Sequence, residues 1–522
     1  MFGLPNRAYD LSPELEFVGL KGLWVRNPLM EVVWFKRDLR TFDHAPLTNA
    51  AAAGEVLALY VVEPDYWLLP DTSARQWLFI KDCLNSLRSE LEALGLSLTI
   101  RVGDMVAVLE ALHNERGICQ LHSHQETGNM WTFKRDTAVK QWCVDRGIRW
   151  REERQNGVIR GLKSRDGWSK RWDEFMSQPK LMPPKMILPA DAMPSDKIPN
   201  PEELCANSLA CSKIQPGGRP VGFKLLESFL MGRGASYQKG MSSPNTAFSS
   251  CSRLSTHLSY GTLSIREVFQ ASMGRVKKVR ESGAVRQGEW LKSLSAFQSR
   301  LHWHCHFIQK LESAPQFEVE NVHPSYNGIR SESSPEKGHI EAWINGRTGF
   351  PFIDACMRAL RSTGWINFRA RAMLQSFASY HLWIHWRFSG VLLAQLFTDY
   401  EPGIHWNQVQ MQSGTTGVNL ARIYNPVKQS RDQDPDGEFI KRWIPELKRL
   451  PNGLIHEPWL MTAMEQKLHG CVIGKNYPAP IVDHIKAAQE GRAKIYQVRK
   501  TSGWKESRDA ILDRHGSRKG KR

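Results

Sequence analysis

Between Glu31 and Arg151, short runs of β-branched and aromatic residues alternate with amphipathic stretches. EVVWF (31–35), EVLALYVVE (55–63), SLTIRV (97–102), CQLHSH (119–124) and GIRWRE (147–152) read as strands. Between them, RQWLFIKDCLNSLRSELEALG (75–95) spaces its apolar positions three and four apart and stops at Gly95, as a helix does. This βαβ alternation predicts a doubly wound parallel sheet with helices on both faces, with ligands at the carboxyl ends of its strands. From 153 to 221 the texture turns to proline, glycine and polar residues and reads as a long interdomain connection. Helical periodicity dominates from 222. In PFIDACMRALRSTG, Ile353, Met357 and Leu360 make one apolar stripe, Pro351 suits the first turn and Gly364 the C-terminal cap. The expected organisation is an extension (1–30), an α/β domain (31–152), a connection (153–221), an all-α domain (222–499) and a basic tail (500–522). The tail is too poor in apolar residues for a core and is expected to be a frayed helix or disordered arm.

Composition narrows the class. With 41% hydrophobic and 24% charged residues, wholesale disorder and a fibrous fold are excluded. No run of about 18 uncharged apolar residues occurs and no signal-like start is present, so a soluble cytoplasmic protein, monomeric and without a membrane partner, is expected. The 70 Lys and Arg against 53 Asp and Glu leave a net charge of +17, which calls for an acidic partner. Nine scattered cysteines with no CxxC pair rule out a disulfide framework and a zinc ribbon. A GxGxxG fingerprint is absent, so nothing points to a nicotinamide dinucleotide. In His302-Trp303-His304-Cys305-His306 the three histidines do not share a helical face, and no metal is expected.

Three separated segments concentrate hydroxyls, arginines and acids: Ser249 to Ser255, the helical stretch with Asp354, Arg358, Arg369 and Arg371, and Asp399 with Glu401. Beside tryptophan-rich apolar helices they describe a pocket for a large aromatic cofactor carrying phosphates. Solvated helix faces with surface ion pairs are the plainer reading of each residue alone.

VVWFKRDLRTFDHAPL (32–47), SRLSTHLSYGTLSIREV (252–268), GRTGFPFIDACMRALRSTGWI (346–366) and RIYNPVKQSRDQDPDGEFIKRWIPEL (422–447) together resemble the photolyase/cryptochrome superfamily over about residues 30 to 500. The resemblance implies FAD bound in the helical domain, a second antenna chromophore of unknown identity, and UV-damaged DNA as partner. By position, Tyr237, Ser252, Arg253, Leu254 and Ser255 match the flavin's phosphate and ribityl contacts. Arg371 and Asp399 match an ion pair beside its ring, and Glu401 an acidic position on its adenosine or ribityl side. His405 and Asn407 are both candidates for the residue facing flavin N5. Trp303 matches the tryptophan that stacks on the lesion, and Met357 a methionine lining the same cavity. Trp386 and Trp406 match a tryptophan relay, with Trp383 or Tyr380 as another route. Lys277, Lys278 and Arg280 are candidates for phosphate contact.

The chain also departs from the family. Arg300 stands where many cyclobutane-dimer photolyases have an acid, His304 replaces an arginine, and Asn367-Phe368 occupies the place of a lesion-contacting His-Asn or His-His pair. HSHQETGNMWTFKRD (122–136) lacks the Asn-Glu signature of folate-binding members. The expected activity is blue-light-driven repair of cyclobutane pyrimidine dimers by electron transfer from reduced FAD. The alternatives are a cryptochrome-type photoreceptor, a (6-4) photolyase with an atypical pocket, or a light-independent nucleic-acid-binding protein.

Overall fold

The expected strands pair, all parallel, into one sheet of order β3-β2-β1-β4-β5, with β1 Met30–Phe35, β2 Val56–Val62, β3 Leu98–Val102, β4 Ile118–His124 and β5 Arg149–Glu153. The computed structural model describes residues 29–207, 211–283, 286–333 and 337–516. The extension expected over 1–30 lies outside the described residues apart from its last two.

Strand β1 is central and buried on both faces, which its unbroken apolar run requires. Val33 is opposite Ala58 of β2 and His122 of β4. The edge strand β5 carries exposed Arg149 and Arg151, charges that discourage pairing with another chain. Chain order reverses at β1, so the crevice between β1 and β4 is the topological switch point. There His44 Nε2 and His124 Nδ1 donate to Asp38 Oδ2 at 2.9 and 2.7 Å, and Leu47 N donates to His44 Nδ1. Hydrogen bonds therefore close this buried cluster.

The stretch 153–221 is not a free connection. The helix Trp168–Ser177 sends Trp168, Trp172, Phe175 and Met176 into one core with Phe229, Leu294 and Leu301 of the helical domain. Val56 at the start of β2 donates to Leu188 O and accepts from Ala190 N, at 2.8 and 2.9 Å. Leu188 lies among prolines and makes no periodic run, whereas Trp168, Trp172, Phe175 and Met176 are spaced as one helical face, a signal masked by the polar surroundings. The first helix of the second domain, Arg219–Met231, begins three residues before the expected boundary.

The remainder is helical around the 27-residue helix Gln287–Ser313, which packs along Ile265–Glu281 and Pro402–Ser413. The helix Pro351–Thr363 buries Ile353, Met357 and Leu360 and ends at Gly364. Gly364 has φ +69°, and a Cβ there would lie 2.1 Å from Thr398 Oγ1, so both conformation and contact demand glycine. Among the described residues no helix is long and apolar enough to cross a membrane.

The C-terminal tail corrects the sequence expectation. The helix Trp504–His515 is docked: the Trp504 ring stacks on His323 at 5.2 Å, His323 Nε2 donates to Trp504 O, and His515 packs edge-on to Phe317. Two aromatic contacts suffice where the average apolar content is low. Residues 517–522 lie outside the described residues. Trp504→Ala is expected to lower the unfolding free energy by roughly 3 kcal/mol, the usual loss for a buried tryptophan. Urea denaturation checks this, and a change within about 0.5 kcal/mol, as at an ordinary surface position, would show the tail to be frayed after all.

Candidate functional site

The sheet's carboxyl end is where the helical domain docks. Arg37, just past β1, donates from Nε to Ser259 O at 2.9 Å and from Nη2 to Tyr400 O at 2.7 Å, and pairs with Glu401 at 3.4 Å. One side chain thus fixes the segment after 252–255 and the segment holding Asp399.

Asp399 and Arg371 form a forked pair at 3.0 and 2.9 Å, while Arg371 Nε donates to Ile366 O at 2.7 Å. The guanidinium lies 4.2 Å from the Phe397 ring centroid. The bidentate geometry and the aromatic platform hold a cation in one orientation. Phe397 carried no signal in the sequence. His405 belongs to this group: it packs on Phe397 and Tyr400, and its Nε2 donates to Gly390 O at 2.8 Å. Burial pushes its pKa down to about 4, so the ring is neutral with Nδ1 left as acceptor. Asn407 does not join it. Two positions on along the helix, its amide donates to Phe307 O and Gly403 O at 3.2 and 2.7 Å, against the helix Gln287–Ser313. Of the two candidates, only His405 stands beside the Arg371–Asp399 pair.

Glu401 turns to the cleft between the domains with Arg37 and His304. Burial raises its carboxyl to about 7 against the pull of Arg37. His304, expected at DNA, faces the same cleft. Burial and then Arg37 press it down to about 4. It is neutral and partly buried, lining the cleft with Arg37.

The segment 252–255 begins with strain. Arg253 has φ +62°, a left-handed conformation rare for a side chain of its size. Its guanidinium lies 4.1 Å from the Trp365 centroid and donates to Gln215 Oε1 at 3.1 Å, a contact from the supposed connection. Leu254 is buried in the core that also holds Tyr237, and Leu254 N donates to Ser252 Oγ at 3.4 Å. Arg253 Nε and Ser255 Oγ are buried and lack any partner among the described residues. Such donors ask for a ligand's oxygens, and the segment therefore fits the phosphate and ribityl part of a flavin dinucleotide.

Tyr237, buried and pushed up to about 12 by that burial, lies within reach of the Arg300 guanidinium. Arg300 is exposed and stands 6.0 Å from the ring of Phe368, itself 49% exposed. Trp303 is one helical turn on from Arg300, half-buried, stacked on Phe307 at 5.6 Å. Asn367 turns away, donating to Met241 O and Ser242 O. Arg300 thus joins Tyr237 and Phe368, with Trp303 one turn along the same helix. Met357 is fully buried in the core that also holds Phe352, Leu360 and Phe439. Asp354 is also structural: it accepts from Thr348 N and Oγ1, Gly349 N and Tyr477 OH. Lys277, Lys278 and Arg280 are exposed on Ile265–Glu281, and only Lys277 has an acid near it, Glu281 at 3.9 Å.

Trp386 and Trp406 are both buried, 5.8 Å apart between centroids, and Trp406 lies 4.9 Å from His405. Trp406 Nε1 donates to Tyr400 OH at 3.1 Å, which donates to Asp71 of the α/β domain at 2.5 Å. Nothing in the sequence pointed to Asp71. Trp383 and Tyr380 form a separate cluster with Tyr326 and Ile495. Arg330 and Lys494 lie 4.4 and 4.6 Å from the Trp383 centroid, and such cations disfavour a positive hole on that ring.

At the sheet's end, Lys36 and Arg135 lie 4.5 and 4.8 Å from the Trp34 centroid. Arg135 is spread across Glu63 (2.9 Å), Glu126 (2.6 Å) and Asp136 (2.8 Å). With Tyr60, Tyr66 and Tyr260, the side chains of Trp34, Lys36 and Arg135 line a cleft at the carboxyl end of the sheet.

The model for the FAD binding domain of DNA photolyase matches residues 297–497, and that for DNA photolyase residues 31–161. Cryptochrome-2 of Arabidopsis thaliana is 30% identical over 492 residues, covering 89% of this chain and 78% of that protein. The chain belongs to the photolyase/cryptochrome family. Within the family, similarity extends to both kinds of member. The deoxyribodipyrimidine photo-lyase of Streptomyces griseus is 28% identical, covering 90% of this chain and 98% of that one. A class III photolyase crystal structure from Agrobacterium tumefaciens has TM-score 0.78 and 27% identity, covering 91% and 98% of the two chains.

Asp399→Asn leaves the Arg371 charge beside Phe397 without its carboxylate. We expect roughly 3 kcal/mol lower stability and less flavin retained on purification. Denaturation and the visible absorbance of the purified protein measure both, and unchanged values would remove the pair from the site.

Proposed function

We propose that the protein is a light-driven DNA lyase acting on cyclobutane pyrimidine dimers, with one FAD held by the helical domain. The observation that supports this reading is the group around Arg300: its guanidinium stands near exposed Phe368 and buried Tyr237, one helical turn from half-buried Trp303. Aromatic faces take up an extruded base, and a cation between them takes up a phosphate or carbonyl oxygen. Bound and reduced, FAD supplies the light-excited electron donor. Ser252, Arg253 and Ser255 bind its phosphates and ribityl chain. Arg371, oriented by Asp399 and Phe397, keeps positive charge beside the ring, while neutral His405 offers an acceptor without adding charge. Trp406 and Trp386 offer a route for electrons from outside.

The surplus of cations supports DNA as the partner, since phosphate neutralisation supplies most non-specific affinity and makes it fall steeply with salt. A photoreceptor is the second reading. It is favoured by Asn367, whose amide is committed to the backbone at Met241 and Ser242.

Illumination of the reduced, flavin-loaded protein with DNA carrying cyclobutane dimers is expected to remove them. Loss of neither cyclobutane nor (6-4) lesions in the presence of a flavin spectrum would leave the photoreceptor. Trp303→Ala should weaken binding of the damaged strand about 5- to 150-fold, the range of roughly 1–3 kcal/mol of stacking. Equal affinity would take Trp303 out of the lesion pocket.

A further inference from the structure

Arg330 is 2% exposed, and no carboxylate meets it among the described residues. Its Nε donates to Ser379 O at 3.0 Å and its Nη2 to Ser413 O at 2.9 Å, while Nη1 has no partner. The guanidinium lies 4.4 Å from the Trp383 centroid and 5.7 Å from that of Tyr380. Two phenols beside it repeat the pattern. Tyr326 is 0% and Tyr380 1% exposed, they share one cluster, and neither hydroxyl has a partner. Tyr326 and Tyr380 are also the side chains whose charge state acts on Arg330.

A buried cation without a counter-charge is strongly unfavourable, and each unmade hydrogen bond adds to it. Peptide carbonyls and aromatic faces offset part of this. They leave the Nη1 amino group and two O–H groups without partners among the described residues, around a net positive charge. Tyr380 is held in place by Gly414, which has φ +77° and whose Cβ would lie 2.3 Å from the phenol oxygen. The three groups come from three stretches of chain: the turn Pro324–Tyr326, the residues just after it, and the π-helical turn Phe377–His381.

We propose that Arg330 Nη1 and the hydroxyls of Tyr326 and Tyr380 hold a small monovalent inorganic anion, chloride in ordinary buffers. A water would satisfy the donors and leave the charge uncompensated. A tetrahedral oxyanion wants the guanidinium fork, and two of the three nitrogens are already committed to Ser379 O and Ser413 O. The neighbouring Ile495, Ile329 and Val498 offer it no further donors. A spherical halide needs only what is left.

The site joins the electron-path helices from beneath. Gln375 Nε2 donates to the hydroxyls of Ser379, Ser413 and Ser389, at 2.9, 3.0 and 2.8 Å, and Ser389 lies on the helix Trp386–Leu396. The anion therefore pins the turn that leads to Trp383, whose φ of +53° needs support from its surroundings.

The test uses the full chain in two measurements. At constant ionic strength, replacing isethionate stepwise by chloride or bromide should raise the thermal midpoint by about 3 °C or more and then saturate. The rise should vanish in the Tyr326→Phe/Tyr380→Phe variant, which keeps both rings. Crystals of the unsubstituted protein in bromide should show an anomalous peak between Arg330 Nη1 and the two phenol oxygens, a readout that needs no variant to fold. A water there with no bromide signal overturns the proposal. So does a halide-induced rise that survives in the double variant, which would place the ion elsewhere.

Discussion

Arg37 holds the two halves of the molecule in register. Its three contacts fall on Ser259, Tyr400 and Glu401, and these residues end the two segments that carry the site's polar groups. A βαβ sheet presents its strand ends as a row of short loops. Placing one arginine at the first of them lets the sheet position polar segments of the helical domain that it does not itself contain. The same logic explains why Glu401 tolerates burial: its carboxyl meets the Arg37 guanidinium at the docking contact, two residues from the Arg371–Asp399 pair.

The architecture was legible because its signals are periodic. Parallel strands buried on both faces must be continuous apolar runs, and the helix Pro351–Thr363 announces both its proline start and its glycine end. The interdomain anchors were not legible. Leu188 is a single residue in proline-rich surroundings, and Trp168 to Met176 make one short helical face between polar stretches; only partners in space show where either docks. Trp504 is the same case at the other end of the chain. Local propensity averages over such residues; tertiary packing does not.

The site was legible at its charged members and less so elsewhere. Arg371 with Asp399 could be named because a fixed cation needs an anion, and residue type alone narrows the choice. His304, Asn407 and Met357 were placed by position in a motif; the structure sets His304 in the interdomain cleft, Asn407 against the helix Gln287–Ser313 and Met357 in the core. On a helix a shift of one or two positions turns a cavity wall into core or cleft. Phe397, Gln215 and Asp71 left no trace at all, since a ring beneath a guanidinium or an acid behind a tyrosine has no sequence period.

The docking of the C-terminal helix has a mechanical side. Trp386 leans on Asn321 through its indole N–H, and His323, two residues further, grips Trp504 by both stacking and a hydrogen bond. The outermost buried tryptophan and the last helix are thus hung from the same short stretch of backbone. A substitution that reshapes the stretch 321–323 therefore disturbs the tryptophan contact and the seat of the last helix at once.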